Sequence, residues 1–193
     1  MLHRTEKPAS RSIRHISPAL LAVAVSALAL AALPAAAQGT SRTGAMVSHD
    51  DSNMMASLAH INIDEIETGK MVLEKSKTEP VRKFAQQMID DHTAALQELQ
   101  TLAQSRGVKL PDSTDIPHKA RAITLKVLPS ATFDSEYLKR AGINDHQRAI
   151  ALLQKMQKDA KDPELKALAT KMLPTIQQNL EMAQQSAAVI DKK

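Results

Sequence analysis

The sequence predicts an all-α fold, a four-helix bundle over residues 51–190 built from two helical hairpins with a long crossover linker. Apolar residues recur three, four and seven positions apart in four long stretches, which is the period of an amphipathic helix. Cysteine is absent and the aromatic side chains number only three, so Ala, Leu, Ile and Met must fill the core. Such side chains suit closely packed helices better than a sheet.

The first hairpin consists of helices over about 52–77 and 80–106. Leu58, Ile61, Gly69 and Val72 form the apolar stripe of the first helix. The segment 78–80 breaks that helix, because Thr-Glu-Pro offers an N-cap and a proline for the start of the second. A glycine at position 107 is suited to end the second helix.

The second hairpin follows a proline-punctuated linker of about 25 residues, in which a short helix is expected over about 118–128. Its helices are predicted over about 133–160 and 163–188, with an Asp-Pro start for the latter and a kink at Pro174. The stretch 78–88 resembles 161–172, so the two halves echo each other. Two hairpins with one crossover build ferritin-like bundles, although an up-down-up-down order satisfies the same pattern.

Residues 1–37 have the composition of a cleavable signal peptide. Four basic residues precede an apolar run from Ala19 to Leu33, and Ala35-Ala36-Ala37 provides an A-x-A cleavage pattern. An uncleaved anchor is the alternative, but the run is short for a membrane span. We therefore expect export to the periplasm or cell envelope, with residues 38–50 as a disordered tether and no membrane span in the mature chain.

The mature chain is nearly neutral. The leader holds four of the 25 basic and one of the 21 acidic residues, which leaves a net charge of +1. Nucleic-acid binding loses its electrostatic support, since phosphate recognition needs a concentrated positive face. An amphipathic membrane-surface role would likewise need a basic face, which this charge does not predict.

Each long helix carries one polar residue on its apolar stripe: Glu65, His92, His146 and Asn179. At 1.5 Å per residue, the first two lie about 20 Å from the first hairpin turn and the others about 23–27 Å from the second. In helices of roughly 40 Å, all four therefore fall near the middle. Helical bundles build metal sites at this level.

Two interpretations of this layer stay open. Two imidazoles and a carboxylate can hold a single Fe, Zn or Cu ion, with Glu65, His92 and His146 as ligands and Asn179 in the same layer. A di-iron centre is disfavoured, since Ile89 and Ile143 stand where its Glu-x-x-His motifs need Glu. The other interpretation is a hydrogen-bonded polar layer that fixes helix register.

Weaker candidates lie elsewhere. Met54, Met55 and His60 are soft or imidazole ligands for copper, but Met is more often a core filler. Asp91 and Asp145 precede the two stripe histidines and are expected to be solvated or flanking. No Ser/His/Asp arrangement, phosphate-binding loop or zinc-protease motif is present, which argues against an enzyme.

The order of several short pieces resembles the exported bacterial domain-of-unknown-function family 4142. These pieces are Glu65-Ile66, Phe84-Ala85, Met88, Asp91-His92, Leu99, Gly107 to Pro111, Phe133-Asp134, Tyr137, Asp145-His146 and Leu173-Pro174. The likeness spans about residues 50–188 and implies a ferritin-like bundle of the periplasm or envelope, stress-related by association and without a settled activity. The family often has a histidine where this chain has Asn179, so this member lacks one possible ligand. A looser likeness, over 145–150, is to another exported family with Met- and His-rich helices.

Together these observations favour a non-catalytic, exported helical-bundle protein of unknown activity, whose partners are envelope proteins or itself. A metal-binding or metal-dependent redox protein that uses the Glu/His layer is the alternative.

Overall fold

The computed structural model describes residues 47–191, and every regular element in that part of the chain is helical. The all-α prediction is therefore confirmed. The predicted signal peptide and residues 38–46 of the predicted tether lie outside the described residues. The elements are α1 (His49–Lys75), α2 (Glu79–Ser105), α3 (Ile116–Val127), α4 (Ser130–Tyr137), a π-helical segment (Leu138–Asp145), α5 (His146–Asp159) and α6 (Pro163–Ile190).

The helix ends follow local side-chain chemistry. The Ser48 hydroxyl accepts the amide of Asp51 to cap α1, and Asp162 accepts the amides of Glu164 and Leu165 to cap α6. Thr78 stands at the N-cap of α2 as predicted, but its side chain makes no capping hydrogen bond. Gly107 follows α2 with a φ of 66°, the left-handed conformation that favours glycine after a helix.

Two boundaries differ from the sequence prediction. The helix α1 begins at His49, so residues 49–50 are helical where the tether was expected. The predicted third helix is a continuous run of α4, the π segment and α5, and it starts three residues early, at Ser130. Inside the π segment, a Cβ on Gly142 would lie 2.8 Å from the Cβ of Ala183. Glycine is needed there because the backbone approaches α6 closely.

The four long helical runs pack in a ring in which α1 contacts α2, α2 contacts α6, α6 contacts the π segment and α5, and α5 contacts α1. The Lys75 ammonium at the end of α1 donates to the Leu128 carbonyl just before α4. At the opposite end, the Asp51 carboxylate accepts the amides of Lys161 and Asp162 after α5. The run from α4 to α5 is therefore antiparallel to α1, and the linker that contains α3 crosses the length of the ring.

Two apolar clusters fill the interior, one toward each end of the ring. One includes Leu58, Leu99 and Leu153, and the other includes Val72, Phe84 and Leu138. Along every long helix, buried polar residues stand between the positions that belong to the two clusters. The core is thus divided by a polar layer. Within residues 47–191, no helix is both long and apolar enough to cross a membrane.

Replacing Asp51 with alanine is expected to destabilise the protein by about 2 kcal/mol, because it leaves the amides of Lys161 and Asp162 without their acceptor. Urea denaturation measures the free energy of unfolding. The matched control is Asp50→Ala, an exposed carboxylate in the same helical turn. Equal losses in the two variants would show that the contact of Asp51 with the α5–α6 turn contributes nothing.

Candidate metal site

The four residues singled out from the sequence are all buried in the polar layer. Glu65 comes from α1, His92 from α2, His146 from the first position of α5, and Asn179 from α6, and each is about 1% exposed. The structure brings three of them together. The rings of His92 and His146 meet edge to face with centroids 5.5 Å apart, and His146 Nδ1 lies 3.8 Å from Glu65 Oε1. Asn179 shares its burial with these three residues.

The tautomer of His92 is fixed by Asn62, a residue that the sequence analysis did not select. Asn62 Nδ2 donates to the Leu58 carbonyl at 3.0 Å, so its Oδ1 faces His92 Nδ1 at 2.8 Å. Because that oxygen only accepts, His92 carries its proton on Nδ1. The Nε2 lone pair is left free, and this atom is buried without a hydrogen-bond partner in the described chain.

His146 is fixed in the same tautomer by the π segment. Its Nδ1 lies 3.0 Å from the Ala141 carbonyl, which can only accept, so Nδ1 bears the proton. His146 Nε2 is also buried and unpartnered within residues 47–191. Histidines that bind metals usually donate one ring N–H to such an oxygen and present the other nitrogen to the ion. Both imidazoles meet that description.

Burial shifts the pKa values of the layer toward the uncharged forms. Desolvation lowers the pKa of His92 to about 3, with His146 adding to the effect, and desolvation also lowers the pKa of His146. The pKa of Glu65 is raised well above its usual value by burial first and then by the nearby carboxylates of Asp145 and Asp64. Both Glu65 oxygens are buried and unpartnered in the described chain. Burial therefore favours the uncharged form of Glu65 and of both imidazoles.

Tyr137, which the sequence offered only as one piece of the family resemblance, borders the layer. Its hydroxyl is buried without a partner in the described part of the chain, and burial followed by the charge of Glu65 raises its pKa. Its ring packs against Phe84 at a centroid distance of 5.8 Å, and Phe84 in turn lies 6.2 Å from the His146 ring. The layer thus has an aromatic wall on the side of the second apolar cluster.

A charged cluster covers the layer from outside. Arg121 of α3 donates to Asp64 at 2.6 Å and to Asp145 at 2.7 Å, and these carboxylates are the chain neighbours of Glu65 and His146. Of the two expectations for Asp145, solvated or flanking, the first is wrong, because its side chain is only 6% exposed and flanks the layer. It is buried because α3 packs over it and supplies the counter-charge. Asp91, in contrast, is half-buried.

The other copper candidates serve different roles. Met54 and Met55 belong to the first apolar cluster, and His60 Nδ1 lies 2.9 Å from the Ser113 carbonyl. Within residues 47–191, no three or more His, Cys, Asp or Glu side chains converge closely enough to hold a metal ion as they stand. Glu65, His92 and His146 thus supply suitable metal-ligand atoms, but these atoms do not converge on one point.

The fold and the polar layer together define a class of protein. It is an all-helical protein in which a ring of long helices buries glutamate and histidine side chains whose polar atoms lack hydrogen-bond partners in the described chain. The chain belongs to the family described as Domain of unknown function (DUF4142), whose profile matches residues 35–186. The resemblance noted from the sequence is thereby confirmed. A comparison with the curated proteins finds no match.

Solved structures share the fold at low sequence identity. A DUF305 fragment from Deinococcus radiodurans matches with a TM-score of 0.66 and 18% identity, covering 77% of this chain and 100% of that one. CopM in the Cu(I)-bound form matches with a TM-score of 0.58 and 20% identity, covering 70% of this chain and 93% of its own. The Cu(II)-bound form gives 0.60 and 20%, covering 72% and 95%.

Acid is expected to destabilise the fold through His92. The unfolded chain protonates this imidazole below about pH 6.5, whereas the folded chain does so only near pH 3. Stability from this group is therefore complete above pH 6.5 and falls by up to about 1.4 kcal/mol per pH unit below it. Glu65 acts in the opposite sense, because its raised pKa favours the folded state as the pH falls.

Urea denaturation of His92→Gln between pH 7 and pH 4 separates the two effects, since this variant keeps Glu65. It should lose less stability on acidification than the unaltered protein. His49→Gln, at an exposed position, is the matched control and should keep the original slope. An unchanged slope in His92→Gln would show that His92 is not held neutral by the fold.

Replacing Arg121 with methionine is expected to destabilise the protein by about 3 kcal/mol at pH 7, because buried Asp64 loses its counter-charge and buried Asp145 loses the less exposed of its two partners. The matched control is Arg148→Met, which removes another partner of Asp145 that is 72% exposed and should cost below about 1 kcal/mol. Thermal or urea denaturation distinguishes them. Equal effects would mean that the cluster does not depend on the contact of α3 with Asp64.

Proposed function

We propose that this protein is an exported, non-catalytic protein of the cell envelope whose helical bundle binds one first-row transition metal ion through Glu65, His92 and His146. One observation carries the proposal. Both imidazoles are pinned through Nδ1–H to fixed oxygens, and their Nε2 atoms are buried without a hydrogen-bond partner in the described chain, in the same layer as the unpartnered carboxyl of Glu65. Asn179 belongs to the same layer as a neutral neighbour.

The donor set fits Fe(II), Zn(II) or Cu(II). Neutral imidazoles are the form that ligates metals, and burial already keeps both histidines neutral. An ion would hold Glu65 ionised, so binding would release a proton and depend on pH. Since the three donors do not yet converge, binding also requires the side chains to close on the ion.

We assign the bundle to the ferritin-like type. Support comes from the two antiparallel hairpins and the linker that crosses the ring between them. A single ion rather than a di-iron pair is proposed, because Ile89 and Ile143 replace the glutamates of the Glu-x-x-His motifs. The fold likeness to CopM, a protein described in copper-bound forms, is compatible with a metal in a bundle of this kind.

Export rests on the N-terminal sequence. The basic start, the apolar run and the A-x-A pattern over residues 1–37 are those of a signal peptide. A stress-related role follows from the family resemblance alone. Partners are proposed to be envelope proteins or a second copy, and nucleic acid is not among them because the mature chain is nearly neutral.

A second candidate function of the layer is structural. The hydrogen bond between Asn62 and His92 joins α1 to α2, and a shift of either helix by one residue would break it. The layer would then fix helix register without binding an ion. The absence of a convergent three-ligand group within residues 47–191 favours this alternative.

Metal analysis of the untagged mature chain distinguishes the two. Anaerobic titration with Fe(II), Zn(II) and Cu(II), followed by mass spectrometry of the metal, should give one ion per chain. His92→Ala, His146→Ala and Glu65→Gln should each weaken binding at least tenfold, as expected for loss of a ligand. His60→Ala is the matched control and should bind normally, since His60 contacts Ser113 instead.

Unchanged metal content in the three layer variants, or loss in the His60 control alone, would refute the metal site. If neither the unaltered protein nor the variants bind an ion, but the variants lower the melting temperature, the structural alternative is supported.

A further inference from the structure

Exposed apolar side chains are concentrated on one short helix. Among residues 47–191, the large hydrophobic residues that are exposed are Ile116, Ile123, Val127 and Val189. The first three belong to α3, a helix of twelve residues, and they are 82%, 65% and 75% exposed. Such concentration on one element marks an interaction surface, whereas single exposed residues need no explanation.

These residues form one continuous stripe. Their spacings of seven and four place them on the same helical face, and exposed Ala120 fills the gap between them. The opposite face of α3 packs against the bundle. Leu125 is buried there in the second apolar cluster, and Arg121 pairs with the carboxylates of Asp64 and Asp145. The stripe is therefore directed away from the bundle by the same contacts that fix α3.

The charged residues of α3 that lie beside the stripe are both lysines. The exposed lysines Lys119 and Lys126 lie along one edge, and Pro117 and Thr124 lie along the other. The sequence of α3 contains no Asp or Glu, in contrast to every other helix described. The near-neutral net charge of the mature chain hides this local basic and apolar face.

We propose that the outer face of α3 docks on a lipid bilayer surface that carries anionic headgroups. The stripe would enter the boundary between headgroups and acyl chains, with the ammonium groups of Lys119 and Lys126 reaching the phosphates. Each lysine near an anionic membrane adds to the attraction. The near-neutral net charge of the mature chain does not predict a basic face, and this proposal depends instead on the local charge of α3.

A second copy of the chain fits the face less well. A twofold antiparallel pairing of α3 would place the lysine edges of both helices on the same side, where four ammonium groups repel one another. The stripe, with three large apolar side chains on a helix of twelve residues, is also small compared with the roughly 800 Å² per partner that a stable interface needs. An anionic bilayer provides phosphate groups for both lysines, and docking on it does not require the buried area that a stable protein dimer needs.

Vesicle co-sedimentation of the chain that begins at Gln38, which contains every described element, tests the proposal. Vesicles of equal parts phosphatidylcholine and phosphatidylglycerol should bind the protein, and vesicles of phosphatidylcholine alone should bind it far more weakly. Ile116→Ser and Ile123→Ser should each weaken binding about tenfold. Lys119→Gln with Lys126→Gln should weaken it by more than about tenfold and reduce its salt dependence.

Val189→Ser is the matched control, since it removes an exposed apolar side chain from α6 rather than from α3. It should leave binding unchanged. Circular dichroism should show equal melting temperatures for all variants, because the altered side chains are exposed. Absence of binding to the anionic vesicles, equal binding to both vesicle types, or equal loss in the Val189 control would overturn the proposal. A dimer that Ile123→Ser converts to a monomer would overturn it too, by showing that α3 pairs with itself.

Discussion

Burial of ionisable groups between two apolar clusters is the constraint on which the organisation of this molecule depends. A charged imidazole or carboxylate at that level would lose its hydration without replacement, so burial raises the pKa of Glu65 and lowers the pKa of His92 and His146. Fixed oxygens from Asn62 and Ala141 orient the two rings. In each imidazole ring, Nδ1 therefore has a fixed hydrogen-bond partner, whereas Nε2 has none in the described chain.

Arg121 extends this constraint to the linker. Asp64 and Asp145 are buried next to the layer and raise the pKa of Glu65, and Arg121 supplies their counter-charge. The position of α3 on the bundle is thus determined by the charges around the layer. The same contact directs the apolar stripe of α3 outward, so the interior chemistry and the outer surface of the protein are connected through one guanidinium group.

Most of the fold is predictable from the sequence because helical periodicity and the two proline starts are local signals. The α-helical class, the hairpins and the burial of the four stripe residues all follow from spacing. Asn62 could also have been found, since it continues the stripe between Leu58 and Glu65. Arg121 could not, because a pairing between a linker residue and α1 is tertiary. The π segment likewise leaves no periodic signal within eight residues, and only Gly142 hints at a close approach.

The π segment has a consequence for how the third long run could change. A π turn accommodates an additional residue in a helix that is otherwise regular. Regular α-helical winding of all eight residues from Leu138 to Asp145 would rotate everything on the N-terminal side by about 100° relative to α5. Phe133 and Tyr137 would then swing out of the interior while His146 stayed in place. The aromatic wall and the imidazole are thus kept in phase by this one irregular stretch of backbone.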